Sequence, residues 1–108
     1  MSSLKNCPKP TKLARDAERA RRRQDLYDYR RVQYRLANRR DGGHCVICGN
    51  RGMDIHHVYG RGREAGDWRE HYSKLMVVCR SCHPLPIVGD KAGKNLEWVE
   101  ELLEEIND

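Results

Sequence analysis

Two short cysteine turns limit what this chain can fold into. Cys45-Val-Ile-Cys48 and Cys79-Arg-Ser-Cys82 each hold two thiols at the spacing of a metal knuckle. One such turn brings two sulfurs onto one ion, so two turns supply the four thiolates of a tetrahedral zinc site. A redox dithiol would use one pair and leave the other idle. The composition shows why a metal is needed. Among 108 residues 38% are hydrophobic, none is Phe and mean hydropathy is -0.92, so apolar burial alone cannot hold a large core. Structural zinc in small domains binds with roughly 10 to 16 kcal/mol, much of it folding free energy. The fifth cysteine, Cys7, is expected to be a free thiol.

The thiols also bear on location. The longest uncharged apolar run, Leu75 to Cys79, is far below the roughly 20 residues a membrane span needs. Met1 to Pro10 lacks the apolar block of a secretory signal. The expectation is a cytoplasmic protein with no membrane partner, whose cysteines stay reduced and bind metal.

The rest of the chain divides by composition. Residues 1–11, with Ser2, Ser3, Pro8 and Pro10, read as a flexible tail. Residues 12–40 contain neither Gly nor Pro and are rich in Ala, Leu, Arg and Gln, which predicts a long basic helix. Leu26, Tyr29, Val32 or Gln33, and Leu36 give its second half a packing face. Its first half offers only Leu13, Ala17 and Ala20. Asp41, Gly42 and Gly43 stop it. Within residues 41–108, Asp54 to Tyr59 and Lys74 to Val78 are strand candidates, with a charged loop from Gly60 to Trp68. Pro84, Pro86, Gly89 and Gly93 interrupt regular structure. Asn95 is the expected N-cap of an amphipathic helix carrying Leu96, Val99, Leu102 or Leu103, and Ile106.

Three histidines stand in order with the knuckles: His56 and His57 on the first strand candidate, and His83 directly after Cys82. Adjacent strand residues point to opposite faces, so His56 and His57 cannot readily share one ion. One could bind a second metal while the other serves as a base near neutral pH. His83, fixed by Cys82, is a candidate second ligand. On the residues alone, histidines merely lying beside a zinc site fit equally well. His44 and His71 read as solvated side chains.

The order Cys45-Val-Ile-Cys48-Gly49, Asp54-Ile-His56-His57-Val58, Leu75-Met-Val-Val-Cys79-Arg-Ser-Cys82-His83 resembles the HNH endonucleases of the ββα-metal superfamily, in their phage and bacterial form with four cysteines. The resemblance spans about residues 44–83. It implies an α+β fold: a long N-terminal basic helix, a zinc-stapled ββα-metal core and a C-terminal amphipathic helix. It implies structural Zn2+ on Cys45, Cys48, Cys79 and Cys82, and a catalytic Mg2+, Mn2+ or Ni2+ held by His56 and His83. His57 falls at the general-base position. The implied reaction is hydrolysis of phosphodiester bonds in DNA, with the ion neutralising charge in the transition state. The chain departs from the family twice. Lys74 stands where an Asn commonly positions the base, so either Lys74 contacts phosphate, or His71 or Ser73 takes over, or activity is impaired. Pro84 and Pro86 stand where the family helix usually continues.

The chain carries +5, with the basic excess in residues 1–40 and net acid after residue 84. Arg15, Arg19, Arg23, Arg31, Arg35 and Arg39 recur at four-residue spacing, with Tyr27 in the gap. At 3.6 residues per turn such a ridge winds by about 40 degrees per step. It suits a nucleic-acid backbone, where neutralised phosphates release counterions; a solvated charged face is the other reading. Tyr27, Tyr29 and Tyr34 read as packing residues. Arg61 and Arg63, in the glycine-rich loop, could clamp phosphate or simply keep the loop soluble. The expected partner is DNA, bound by a monomer or homodimer in a bacterial host cell, with a partner protein of a larger phage or host complex as a further candidate. A zinc-containing nucleic-acid-binding module without catalysis is the alternative.

Overall fold

A computed structural model describes residues 9–84 and 96–108. Cys7, Pro86, Gly89, Gly93 and the Asn95 cap lie outside the described residues. The architecture is α+β: helix α1 (Lys12–Asp41), strand β1 (Asp54–His57), 3-10 turns at Trp68–Glu70 and Tyr72–Lys74, strand β2 (Leu75–Val78) and helix α2 (Leu96–Asn107). No helix among the described residues is long and apolar enough to cross a membrane.

Thr11 starts α1, its hydroxyl accepting from the Ala14 N–H. Gly42 ends it in the left-handed region at φ 65, its N–H returning to the Asn38 carbonyl. A side chain there would be strained. The first half of α1 is exposed, with Leu13 at 80%. Of the alternatives on its second half, Gln33 is buried and Val32 is half out. Gln33 accepts the Tyr72 N–H at 2.8 Å, and Ala37 is fully buried.

The strands pair antiparallel, with Asp54 opposite Val78, Ile55 opposite Val77, His56 opposite Met76 and His57 opposite Leu75. This register gives the sheet two different faces. Leu75 and Val77 pack with Ile55, Ala37, Tyr34 and Tyr72 against α1. Met76 and Val78 pack with Val58, Cys45, Cys79 and Cys82, and with Val99 and Leu103 of α2. β1 stops at His57, where the Gly60 N–H turns back to the His57 carbonyl. The charged loop expected from Gly60 to Trp68 ends where the first 3-10 turn begins, at Trp68, and Asp67 caps that turn, its side chain accepting from the Arg69 N–H.

The C-terminus of α1 is locked to β2. Arg40 pairs with Asp41 through two bonds of 2.7 and 2.8 Å and donates to the Tyr72 and Leu75 carbonyls. Asp41 in turn accepts the Val77 N–H. The basic helix and the sheet therefore share one packed unit from about Arg30 onward. The free first half of α1 accounts for the elongated outline of 59 × 25 × 25 Å, since 30 residues of helix span about 45 Å.

Candidate functional site

The cysteine turns meet as their spacing predicts. The Sγ atoms of Cys45, Cys48, Cys79 and Cys82 all lie within 4.8 Å of one another, with Cys48 and Cys79 at 3.5 Å, and none forms a disulfide. Sulfurs about 2.3 Å from a tetrahedral ion sit about 3.8 Å apart, so the cluster fits a metal such as zinc. Backbone bonds shape each turn: Gly49 N–H to the Cys45 carbonyl, and Cys82 and His83 N–H to the Cys79 carbonyl. The first turn also joins the sheet edge through Val46 N–H to Val77. Burial opposes ionisation of Cys45, but N–H groups of Cys48, Cys79 and Ile47 outweigh it and pull its thiol down to about 6. Burial and the neighbouring sulfurs push Cys82 up to about 12. Without a cation the four cannot all be thiolates; a divalent ion would supply the missing positive charge.

His56 and His83 are brought together beside this cluster. Their ring centroids are 5.4 Å apart with planes at 75°. His83 Nδ1 lies 3.1 Å from Asp54 Oδ2, which leaves Nε2 free of that bond. Burial, and then the positive fields of His83 and His57, lower His56 to about 4, so it stays a neutral imidazole suited to a metal. A shallow depression lined by Asp54, Arg80, His83 and Pro84 opens next to the pair. His83 is reached because its backbone hangs from Cys79.

His57 is on the other face, towards α1. Its Nε2 is 3.1 Å from Glu70 Oε1 and 3.1 Å from the Tyr34 hydroxyl. Glu70 is fully buried; its Oε2 accepts Gly62 N–H at 2.7 Å and Arg30 Nη2 at 3.2 Å, and Arg30 also donates to the Gly62 carbonyl. Burial alone would raise the Glu70 pKa, yet Arg30, the Gly62 N–H and His57 together hold it below its usual value. Burial also lowers His57, against the pull of Glu70 and with the help of Arg61 and Arg30. Arg61 is thus close enough for His57 to feel its charge, although its side chain is exposed.

The remaining candidates are dispersed. Lys74 is half-buried, its Nζ 5.9 Å from the centre of the Tyr59 ring. Arg63 is exposed in the loop after β1. Along α1, Arg15, Arg19, Arg23, Arg31, Arg35 and Arg39 are all exposed. Arg15 reaches the Pro10 carbonyl, Arg19 lies 4.0 Å from Asp16, and Arg31 sits over Tyr27. His44 and His71 are exposed, as expected. Neither Glu70 nor Arg30 had a role in the sequence reading, and Asp54 had none beyond its place in the motif. The one available signal was the i, i+4, i+7 run of Arg30, Tyr34 and Ala37, which marks the buried face of α1.

Comparison with protein-family models, with curated proteins and with solved structures found no match to this chain.

Proposed function

We propose that this chain is a metal-dependent HNH-type endonuclease that hydrolyses phosphodiester bonds in DNA. Its core is then a zinc-stapled ββα-metal unit in which the four cysteines carry structural Zn2+. The observation that carries this is the division of two adjacent imidazoles: His56 turns to His83 beside the cysteine cluster, and His57 turns to a buried carboxylate. A strand separates neighbours in this way, and hydrolysis needs both a metal site and a base.

His56 and His83 would hold Mg2+, Mn2+ or Ni2+, with Asp54 fixing the His83 ring through Nδ1 as carboxylates commonly do for metal-binding imidazoles. When bound, such an ion supplies Lewis acidity at the scissile phosphate. His57 takes a proton from the attacking water. Arg61 and Lys74 contact phosphate near the reaction. Arg63 and the α1 arginines Arg15, Arg19, Arg23, Arg31, Arg35 and Arg39 bind the DNA backbone by counterion release.

The zinc-loaded protein, incubated with supercoiled plasmid and each of the three ions, is expected to nick or linearise it. His57→Ala should lower cutting by about 10²–10⁴-fold, the range for a lost general base, while DNA affinity and zinc content hold. Binding without cutting under every ion favours a non-catalytic zinc-containing nucleic-acid-binding module. The small exposure of His57, 8% of its side chain, is the observation on that side.

A further inference from the structure

The polar group beneath His57 is unusual for so small a core. Glu70 has no exposed surface, yet it touches His57, Arg30 and the Gly62 N–H, and so joins β1, α1 and the loop after β1. A buried ion pair of this kind is no more stabilising than well-packed apolar side chains. Its geometry nevertheless has a chemical result. An ionised carboxylate only accepts hydrogen bonds, so the ring nitrogen facing Oε1 must carry the proton. That nitrogen is Nε2. Within the described residues no hydrogen bond reaches Nδ1, while Arg30 Nε lies 3.2 Å from the same Oε1 as an ion-pair contact. Nδ1 is therefore the ring nitrogen to which the described residues give no hydrogen-bond partner, on a side chain that is 8% exposed.

We propose that Glu70 is the positioning residue for His57: it holds the proton on Nε2, which the Tyr34 hydroxyl oxygen shares as a second acceptor, so that Nδ1 is the basic atom. This rests on the nuclease reading for its consequence, and it assigns to Glu70 the task that an Asn at position 74 would perform. Arg30 keeps Glu70 ionised, and Tyr34 limits rotation of the imidazole from the side of α1. The long helix then completes the site as well as carrying the basic ridge.

The change Glu70→Gln tests the idea because it keeps the shape. Its oxygen can still accept from Gly62 and Arg30, which turns the amide NH2 toward His57 and makes Nε2 an acceptor. The proton then moves to Nδ1, and the base is lost. Long-range 1H–15N correlation on histidine-labelled, zinc-loaded protein, assigned with His57→Ala, reads the tautomer directly. Wild type should show Nε2–H, Tyr34→Phe should keep it, and Glu70→Gln should show Nδ1–H. In the plasmid assay Glu70→Gln should lose about 10²–10⁴-fold in kcat with KM and zinc content unchanged. A merely structural glutamate would move the melting temperature without moving the tautomer. Nδ1–H in the wild type overturns the proposal even if Glu70→Gln fails to fold, and so does full kcat in Glu70→Gln. A wild type that cuts nothing, yet shows Nε2–H that flips in the variant, overturns the nuclease reading and leaves the positioning supported.

Discussion

Asp41 illustrates how this chain uses its few interior positions. Its side chain is 1% exposed, paired with Arg40 and accepting the Val77 N–H. Removing one partner of a buried pair leaves the other charge without compensation, a larger loss than the pair was worth. Asp41→Ala should therefore destabilise the zinc-loaded protein by about 3 kcal/mol, read from urea unfolding. A loss below about 1 kcal/mol, the range of surface pairs, would show that α1 is not held there. Gly62 is constrained by a close approach. A Cβ on it would lie 2.7 Å from Asp67 Cβ and from Glu70 Cγ. Gly62→Ala should cost about 1 to 3 kcal/mol, as overpacking does, and should displace Glu70. Its check is a fall in the urea midpoint together with a shift of the His57 ring signals.

Among the elements, α1 was the most legible in sequence, and its limits follow from chemistry. Absence of Gly and Pro fixed its length, and Gly42 fixed its end. What could not be read was which polar residues were buried. Arg30, Gln33 and Arg40 look like surface residues until the partners Glu70, Tyr72 and Asp41 are in place. The strands were legible in outline, because β-branched and aliphatic residues crowd Leu75 to Val78, and alternation separated His56 from His57. Glu70 was not legible, since a carboxylate between Arg69 and His71 gives no sign of burial. The exposed half of α1 makes a prediction of its own. Arg15, Arg19 and Arg23 bear on no part of the sheet, so replacing all three with Gln should leave zinc content and folding intact. The slope of log affinity for DNA against log salt should become shallower by up to about 2.7, at roughly 0.9 per lost phosphate contact. An unchanged slope in a salt titration would remove this half of the helix from the interface.

For the molecule as a whole, the layers carry unequal loads. On the α1 side, the fully buried or nearly buried apolar residues are Ala37, Leu75 and Val77, with polar locks at Gln33, Asp41 and Glu70. On the other side, three of the eight buried residues are cysteines of the metal cluster, and α2 packs over them. An ion held by the four sulfurs would tie that second layer together, since four adjacent thiolates repel one another without a cation between them. Typical domain stability is about 5 to 15 kcal/mol, and structural zinc contributes roughly 10 to 16 kcal/mol. Loss of such an ion would therefore be comparable to the whole margin. Elemental analysis should find one zinc per chain, and Cys82→Ser should lower that content. Chelation should abolish the cooperative thermal transition and the near-UV signal of the core. Part of the helical signal should fall with it, since α1 loses its anchorage on β2 and isolated helices are marginal in water. His56 and His83 would separate in the same event, so nucleic-acid cutting should stop on chelation and stay lost when Mg2+ alone is restored. A chelated protein that melts at the original temperature would mean that burial, and not the metal, holds the two layers together.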